Sequence, residues 1–273
     1  LKRLLQLSVA CPADLRDILI AQLGELDFDS FLETDQGFVA SGPNPEMDRA
    51  QVELLLQGFP VSFRFEEVPK INWNEEWERN VEPVWIDPRC LVRASFHEAH
   101  PEVPYEIVIT PRMSFGTGHH PTTRLMLLAL LDLDCQGKRM MDAGCGTGVL
   151  SVLASKKGAK EIEAFDIDDW SVDNAAENVT VNHCPSVRIR KGAIGSLDFT
   201  GHFHVVLANI NKSVLLDEMH AYFVRLTLPG TLLLSGFYEA DAEDLLARAA
   251  ALGLHETRRY VREGWCCLRM DKS

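Results

Sequence analysis

Two hydrophobic patterns alternate along the chain. Short apolar runs that suit strands are separated by longer stretches in which apolar residues recur three and four positions apart, the spacing that lines one side of a helix. Within residues 1–67 the pattern predicts strand over 4–10, helix over 12–23, strands over 28–33 and 37–40, helix over 45–57 and strand over 61–67. Leu15, Ile18, Leu19 and Leu23 hold helical spacing. Pro12 and Pro45 stand near helix starts, where a missing N–H costs nothing because it would have no intrahelical partner. The βαββαβ order predicts a small α+β, ferredoxin-like module. It carries no glycine loop and no convergent polar set, so it is expected to bind or position rather than to do chemistry. The opening run, Leu4 to Ala10 after Lys2 and Arg3, imitates a short signal peptide. Gln6 and Ser8 interrupt it, and it reads as a strand.

The stretch Ile71 to Asn80 places Trp73 and Trp77 four residues apart on one face of a linker helix, where they either pack beneath the nearer domain or form an interdomain hinge surface. From Val84 a few short strands lead in. Strands over 139–142, 161–166, 187–190, 204–209 and 231–235 then alternate with helices, the signature of a parallel sheet covered on both faces. After a helix over 240–252, the segments 254–261 and 265–270 flank Glu263-Gly264 and read as a terminal hairpin. The expected organisation is a ferredoxin-like domain over 1–67, a linker helix over 68–83 and an α/β, Rossmann-like domain over 84–273.

A length of 273 residues suits two domains, either of which can bury a core. The net charge of −13 argues against wrapping nucleic acid and favours a basic protein as partner. Seven cysteines without a C-x-x-C pair fit a reduced cytoplasm. No apolar run approaches membrane-spanning length.

The chemistry concentrates in Met141-Asp142-Ala143-Gly144-Cys145-Gly146-Thr147-Gly148, an acid and three alternating glycines directly after an apolar run. A strand that turns sharply into a helix needs positive φ and lets a ligand approach bare backbone, and the amides at the new helix start hold an anion. A dinucleotide loop reads G-x-G-x-x-G, yet the position of its third glycine, counted from Gly144, is Val149. The carboxylate of Asp142 suits a cationic ligand end better than a pyrophosphate, and S-adenosylmethionine has both an ammonium and a sulfonium. Asp166, at the end of the next strand, stands at the distance expected of a ribose-hydroxyl acceptor.

Phe115-Gly116-Thr117-Gly118-His119-His120-Pro121-Thr122-Thr123, then Asp142 to Gly148, then Asp166-Ile167-Asp168 and then Ala208-Asn209-Ile210 together resemble the class I methyltransferases. Among these the chain is most similar to the ribosomal protein L11 methyltransferases. The resemblance implies S-adenosylmethionine as cofactor, held by Asp142, Gly144, Gly146, Thr123, Asp166 and Asn209, with Ile167 bordering the adenine. It further implies a sheet whose last strand runs antiparallel, a front module that docks ribosomal protein L11, methylation of lysine side-chain amines and of the α-amine, and a cytoplasmic enzyme acting as a monomer without direct nucleic-acid contact. The alternative is a class I methyltransferase acting on another protein, a nucleic acid or a small molecule.

Asn209 is followed by Ile210-Asn211-Lys212, where amine- and amide-methylating relatives keep an N-P-P-Y type motif. Without the prolines and the aromatic residue a flipped base has no stacking platform. A lysine acceptor is neutral in only about one molecule in two thousand at pH 7, a deficit of about 4.6 kcal/mol. Burial beside a sulfonium disfavours the ammonium form, so no dedicated base is required, and no catalytic side chain is assigned. The loop 115–120 is irregular and suits a lid. One of His119 and His120 is expected to cap the helix after Pro121 and the other to touch cofactor or substrate. Adjacent histidines without a carboxylate or cysteine at ligand spacing do not make a metal site. Val149, Leu150, Val152 and Leu153 are expected to be sheet-facing core, Cys266 and Cys267 to point to opposite faces of a strand, and Asp168 and Asp169 to start a helix.

Overall fold

Alternating burial along the central strands shows how two cores are built from one sheet. Met140, Val205, Leu207, Leu233 and Cys267 enter one hydrophobic cluster, while their neighbours Met141, Val206, Ala208, Leu232, Leu234 and Cys266 enter another. Strands buried on both faces are the mark of a covered parallel sheet, and they explain the nearly continuous apolar runs in the sequence. The computed structural model describes residues 3–24, 26, 28, 30–34, 36–42, 49–69, 82–110 and 114–273. It divides the chain into two compact units, Leu1–Trp77 and Glu78–Ser273.

In the first unit β1 (Arg3–Ala10), α1 (Ala13–Gly24), β2 (Ser30–Thr34), β3 (Gly37–Gly42), α2 (Arg49–Leu56) and β4 (Ser62–Pro69) follow the βαββαβ order. The four strands form an antiparallel sheet in the order β2-β3-β1-β4, the ferredoxin-like arrangement. Leu5, Leu7 and Val9 of β1 turn to the same side as Phe38 and Ala40 of β3, and they pack with Leu19 and Leu23 of α1 and Val52 and Leu56 of α2. Gln6 and Ser8, which break the apolar run in the sequence, alternate with these buried residues. The helix expected from Pro45 is seen over 49–56, residues 43–48 lying outside the described ones. Of the linker helix expected over 68–83, Val68 and Pro69 instead extend β4, while 70–81, with Trp73 and Trp77, lie outside the described residues.

The second unit opens with a three-stranded sheet of β5 (Val84–Asp87), β6 (Cys90–Ala94) and β7 (Tyr105–Ile109). Then come α3 (Pro121–Leu131), β8 (Arg139–Ala143), α4 (Val149–Lys156), β9 (Glu161–Asp166), α5 (Asp169–Val181), β10 (Val187–Lys191), β11 (Phe203–Asn209), α6 (Lys212–Arg225), β12 (Leu226–Tyr238), α7 (Ala242–Leu252), β13 (Leu254–Arg262) and β14 (Trp265–Lys272). The large sheet has the order β10-β9-β8-β11-β12-β14-β13. Its first five strands are parallel, and β14 pairs antiparallel with both β12 and β13, so the last strand is inserted between β12 and the edge strand β13. Val149, Leu150, Val152 and Leu153 of α4 are buried with α3 against one face, while α6 and α7 cover the other.

The three-stranded sheet packs over the outer side of α4 and α5. Asn174, Asn178 and Asn182, one helical turn apart on α5, meet the free edge of β7 and the residue after it. The Asn182 amide donates to Val108 O at 2.5 Å and its oxygen accepts Val108 N–H at 2.9 Å. The Asn178 oxygen accepts Thr110 N–H at 2.7 Å, and Asn174 donates to Thr110 O at 3.2 Å. All three side chains are buried. Among the described residues no helix is long and apolar enough to cross a membrane.

Candidate functional site

In an open α/β sheet the carboxyl ends of adjacent parallel strands and the loops that leave them surround a crevice. Here a cavity of about 640 Å³ opens at that edge, walled by the loops after β8, β9, β10 and β11. Gly144, Gly146, Asp166, Ile167 and Asn209 line it, brought together from positions scattered through the second unit.

The glycine loop lies close to its surroundings at its glycines, which have no side chains. Gly146 has φ 52°, and a Cβ there would fall 2.2 Å from the carbonyl oxygen of Phe115. Gly144 has φ 66°, and its Cβ would meet Ile210 at 2.4 Å. A side chain is therefore strained at both positions by backbone conformation, and at Gly146 it also meets main chain. Thr147 fastens the preceding segment to this loop: its N–H donates to Phe115 O at 2.9 Å and its hydroxyl to Gly116 O at 2.8 Å. The Thr147 carbonyl in turn accepts from Asn178 at 2.9 Å.

Asp166 is fixed by main chain. Its Oδ2 accepts Gly146 N–H at 3.0 Å and its Oδ1 accepts Asp168 N–H at 3.1 Å. Each carboxylate oxygen keeps further acceptor capacity toward the cavity. Asp168 caps α5 by accepting from Ser171 N–H, which fixes the turn after Asp166, and Ile167 stands 72% exposed beside it.

Asp142 and Thr123 are placed behind the wall rather than on it. Asp142 is fully buried, with its Oδ2 accepting the Ser151 hydroxyl at 2.6 Å and its Oδ1 without a partner among the described residues. Burial pushes its carboxyl up from 3.8 to about 6; hydrogen bonds from Ser151 oppose the shift and the nearby Asp166 adds to it. Thr123 is buried one residue beyond the cavity-lining Thr122, and its hydroxyl accepts the Asn209 amide at 3.5 Å. The Asn209 oxygen is buried and has no partner among the described residues. A desolvated amide oxygen of this kind calls for a donor, and the cavity that Asn209 lines is where one can enter.

Of the histidine pair, it is His120 that caps the helix. His120 caps α3 by accepting Thr122 N–H at Nδ1, 3.3 Å away, and its ring also lines the cavity. His119 contacts Thr117 instead. Asn211 caps α6 by accepting Val214 N–H at 3.1 Å. Trp265 and Glu218 line the cavity too. Neither belongs to a sequence motif: Trp265 reads as an ordinary hairpin residue and Glu218 as one polar position on a helix. Among the described residues no cluster of histidine, cysteine or carboxylate side chains could hold a metal ion.

The family model for ribosomal protein L11 methyltransferase matches residues 30–273. A ribosomal protein L11 methyltransferase of Porphyromonas gingivalis is 43% identical over 259 residues, covering 93% of this chain and 89% of that protein. One of Bacteroides fragilis is 37% identical over 265 residues, covering 95% of both. Among solved structures, a ribosomal protein L11 methylase from Lactobacillus delbrueckii subsp. bulgaricus superposes with a TM-score of 0.66 at 24% identity, covering 71% of this chain and all of that one.

Proposed function

The chain belongs to the ribosomal protein L11 methyltransferase family, and on that premise we propose that it transfers methyl groups from S-adenosylmethionine to lysine side-chain amines, and to the α-amine, of ribosomal protein L11. The observation that carries the reading is the convergence of Gly144, Gly146, Asp166 and Asn209 on one cavity. The residues present fit the cofactor. A carboxylate anchored by two backbone amides suits a pair of ribose hydroxyls, and Gly144 and Gly146 line the cavity with backbone that a ligand can approach.

When bound, the cofactor would supply an electrophilic methyl group, displaced from its sulfonium by the lone pair of a neutral amine, and the proton of the resulting ammonium would leave to water. The chain's own part is positioning and desolvation. Asp166 holds the ribose through oxygens already committed to Gly146 and Asp168. Gly144 and Gly146 present backbone. Asp142 and Thr123 act through the wall, the first by fixing the glycine loop against Ser151 of α4 and the second by holding the Asn209 amide. The Asn209 oxygen then accepts an N–H of the incoming amine and aims its lone pair. Alignment of this kind supplies a large share of the acceleration, and desolvation lowers the cost of deprotonating the amine.

In this reading residues 1–67 form the recognition domain, 68–83 the linker and 84–273 the catalytic domain. The first unit suits recognition because none of its described buried residues is polar, leaving nothing for chemistry in its core. A net charge of −13 supports direct contact with a basic protein rather than nucleic acid. The protein acts as a monomer in the cytoplasm, where its substrate is made.

Labelled S-adenosylmethionine, purified chain and a ribosomal protein extract test the proposal. One labelled species with the mass of L11, absent with Asp166→Ala, is expected. Label on a different protein or on RNA would discard the substrate, and failure of the wild-type chain to bind the cofactor would discard the methyltransferase.

A further inference from the structure

The wall beside Asn209 is aromatic. His120 lies within one helical turn of Thr123, the residue that accepts the Asn209 amide. Its ring centroid is 4.7 Å from that of Trp265 and 5.2 Å from that of Phe115. Trp265 is stacked in turn on Tyr238, 4.1 Å away at 30° between planes. Phe115, His120 and Trp265 all line the cavity, while Tyr238 backs Trp265 from the next strand and is 53% exposed.

These rings come from the loop before α3, the start of β14 and the end of β12, so their meeting is a product of the insertion of β14 beside β12. Among the described residues the carboxylates lining the cavity are Asp166 and Glu218. Asp166 is committed to the glycine loop, and Glu218 accepts a hydrogen bond from the Tyr222 hydroxyl within α6. No acid is contributed by the elements that carry the rings to the cavity.

That composition selects a ligand. A carboxylate beside an amine would hold it as ammonium and deny the lone pair. Aromatic faces attract a cation through the ring quadrupole without offering a proton acceptor, and they also accept methyl groups. An amine that gains methyls loses its N–H donors one by one, so the Asn209 oxygen serves it less at each step, whereas a ring face serves every methylation state.

We propose that Trp265, joined to His120 and Phe115 and backed by Tyr238, is the surface on which the acceptor nitrogen lies, and that it makes the site specific for amines that accumulate methyl groups. This rests on the methyltransferase reading above.

The test uses the full chain, Trp265→Leu and Trp265→Phe, with purified ribosomal protein L11. S-adenosylhomocysteine binding is measured by calorimetry, the acceptor KM by initial rates and the product states by intact mass. For Trp265→Leu an increase of about tenfold in acceptor KM is expected, with fewer fully methylated products and unchanged S-adenosylhomocysteine affinity. Trp265→Phe is expected to recover most of the loss. Tetramethylammonium should inhibit the wild type competitively against L11, and tert-butanol, similar in shape but uncharged, should not. Equal inhibition by the two, or a loss of S-adenosylhomocysteine affinity in the leucine variant, would overturn the proposal. A wild-type chain that does not bind S-adenosylhomocysteine would overturn the cofactor reading beneath it.

Discussion

Along the Gly144 to Gly148 side the cavity is walled by main chain, whereas along the Phe115 to Trp265 side it is walled by rings. The first side tolerates no added atom: a Cβ on Gly146 would sit 2.2 Å from a carbonyl oxygen. The second is made of side chains whose partial removal leaves the backbone in place. A main-chain wall is therefore expected to fail completely when altered, and a ring wall by degrees.

The sharpest way to break this contrast is Gly146→Ala. Positive φ and the clash with Phe115 act together, and cofactor affinity is expected to fall on the order of a thousandfold, about 4 kcal/mol. Calorimetry with S-adenosylhomocysteine reads it, and a loss below tenfold would mean that the loop yields as easily as the rings.

Behind the same wall, Asp142→Asn tests the cost of a buried carboxyl. The native group titrates at about 6 rather than 3.8, so between those values the folded chain keeps a proton that the unfolded chain has released. Its effect is to lower stability as pH rises through that window, by up to about 3 kcal/mol, with the full loss present above it. The asparagine variant, without cofactor, should melt higher than wild type at pH 7 and should lose this part of the slope. Melting curves from pH 4.5 to 7.5 would decide, and a lower midpoint for the variant at pH 7 would reject the assignment.

The smallest effect belongs to the ring side. His120→Asn keeps a side-chain acceptor for Thr122 N–H, since asparagine is a good helix cap, but removes the ring. Stability should hold while acceptor KM rises severalfold, about 1 kcal/mol. A drop in melting temperature with unchanged KM would show that His120 serves the helix alone.

The same contrast explains what could be read in advance. Gly144, Gly146 and Asp166 were legible because a bare-backbone turn restricts residue type at fixed spacing, and the alternating strands and helices were legible because a sheet buried on both faces needs continuous apolar runs. Asp142 and Thr123 lie beside the cavity without lining it, and sequence carries no sign of whether a side chain faces a cavity or lies behind it. Trp265 was not singled out, since nothing in Glu263-Gly264-Trp265 tells that β14 inserts beside β12 and delivers a ring to His120. Pairing between strands distant in sequence creates that neighbourhood, and no local pattern encodes it.

The three asparagines of α5 act as a ruler. Four residues of helix advance about 6.0 Å, and two residues of strand advance about 6.6 Å, so amides one turn apart can serve Val108 and Thr110 in step. Each amide offers a donor and an acceptor, as a neighbouring strand would. The free edge of β7 is thereby closed to other chains without a further strand. The reading frame of that edge, and with it the point from which the chain sets out toward the Phe115 segment, is counted off in helical turns.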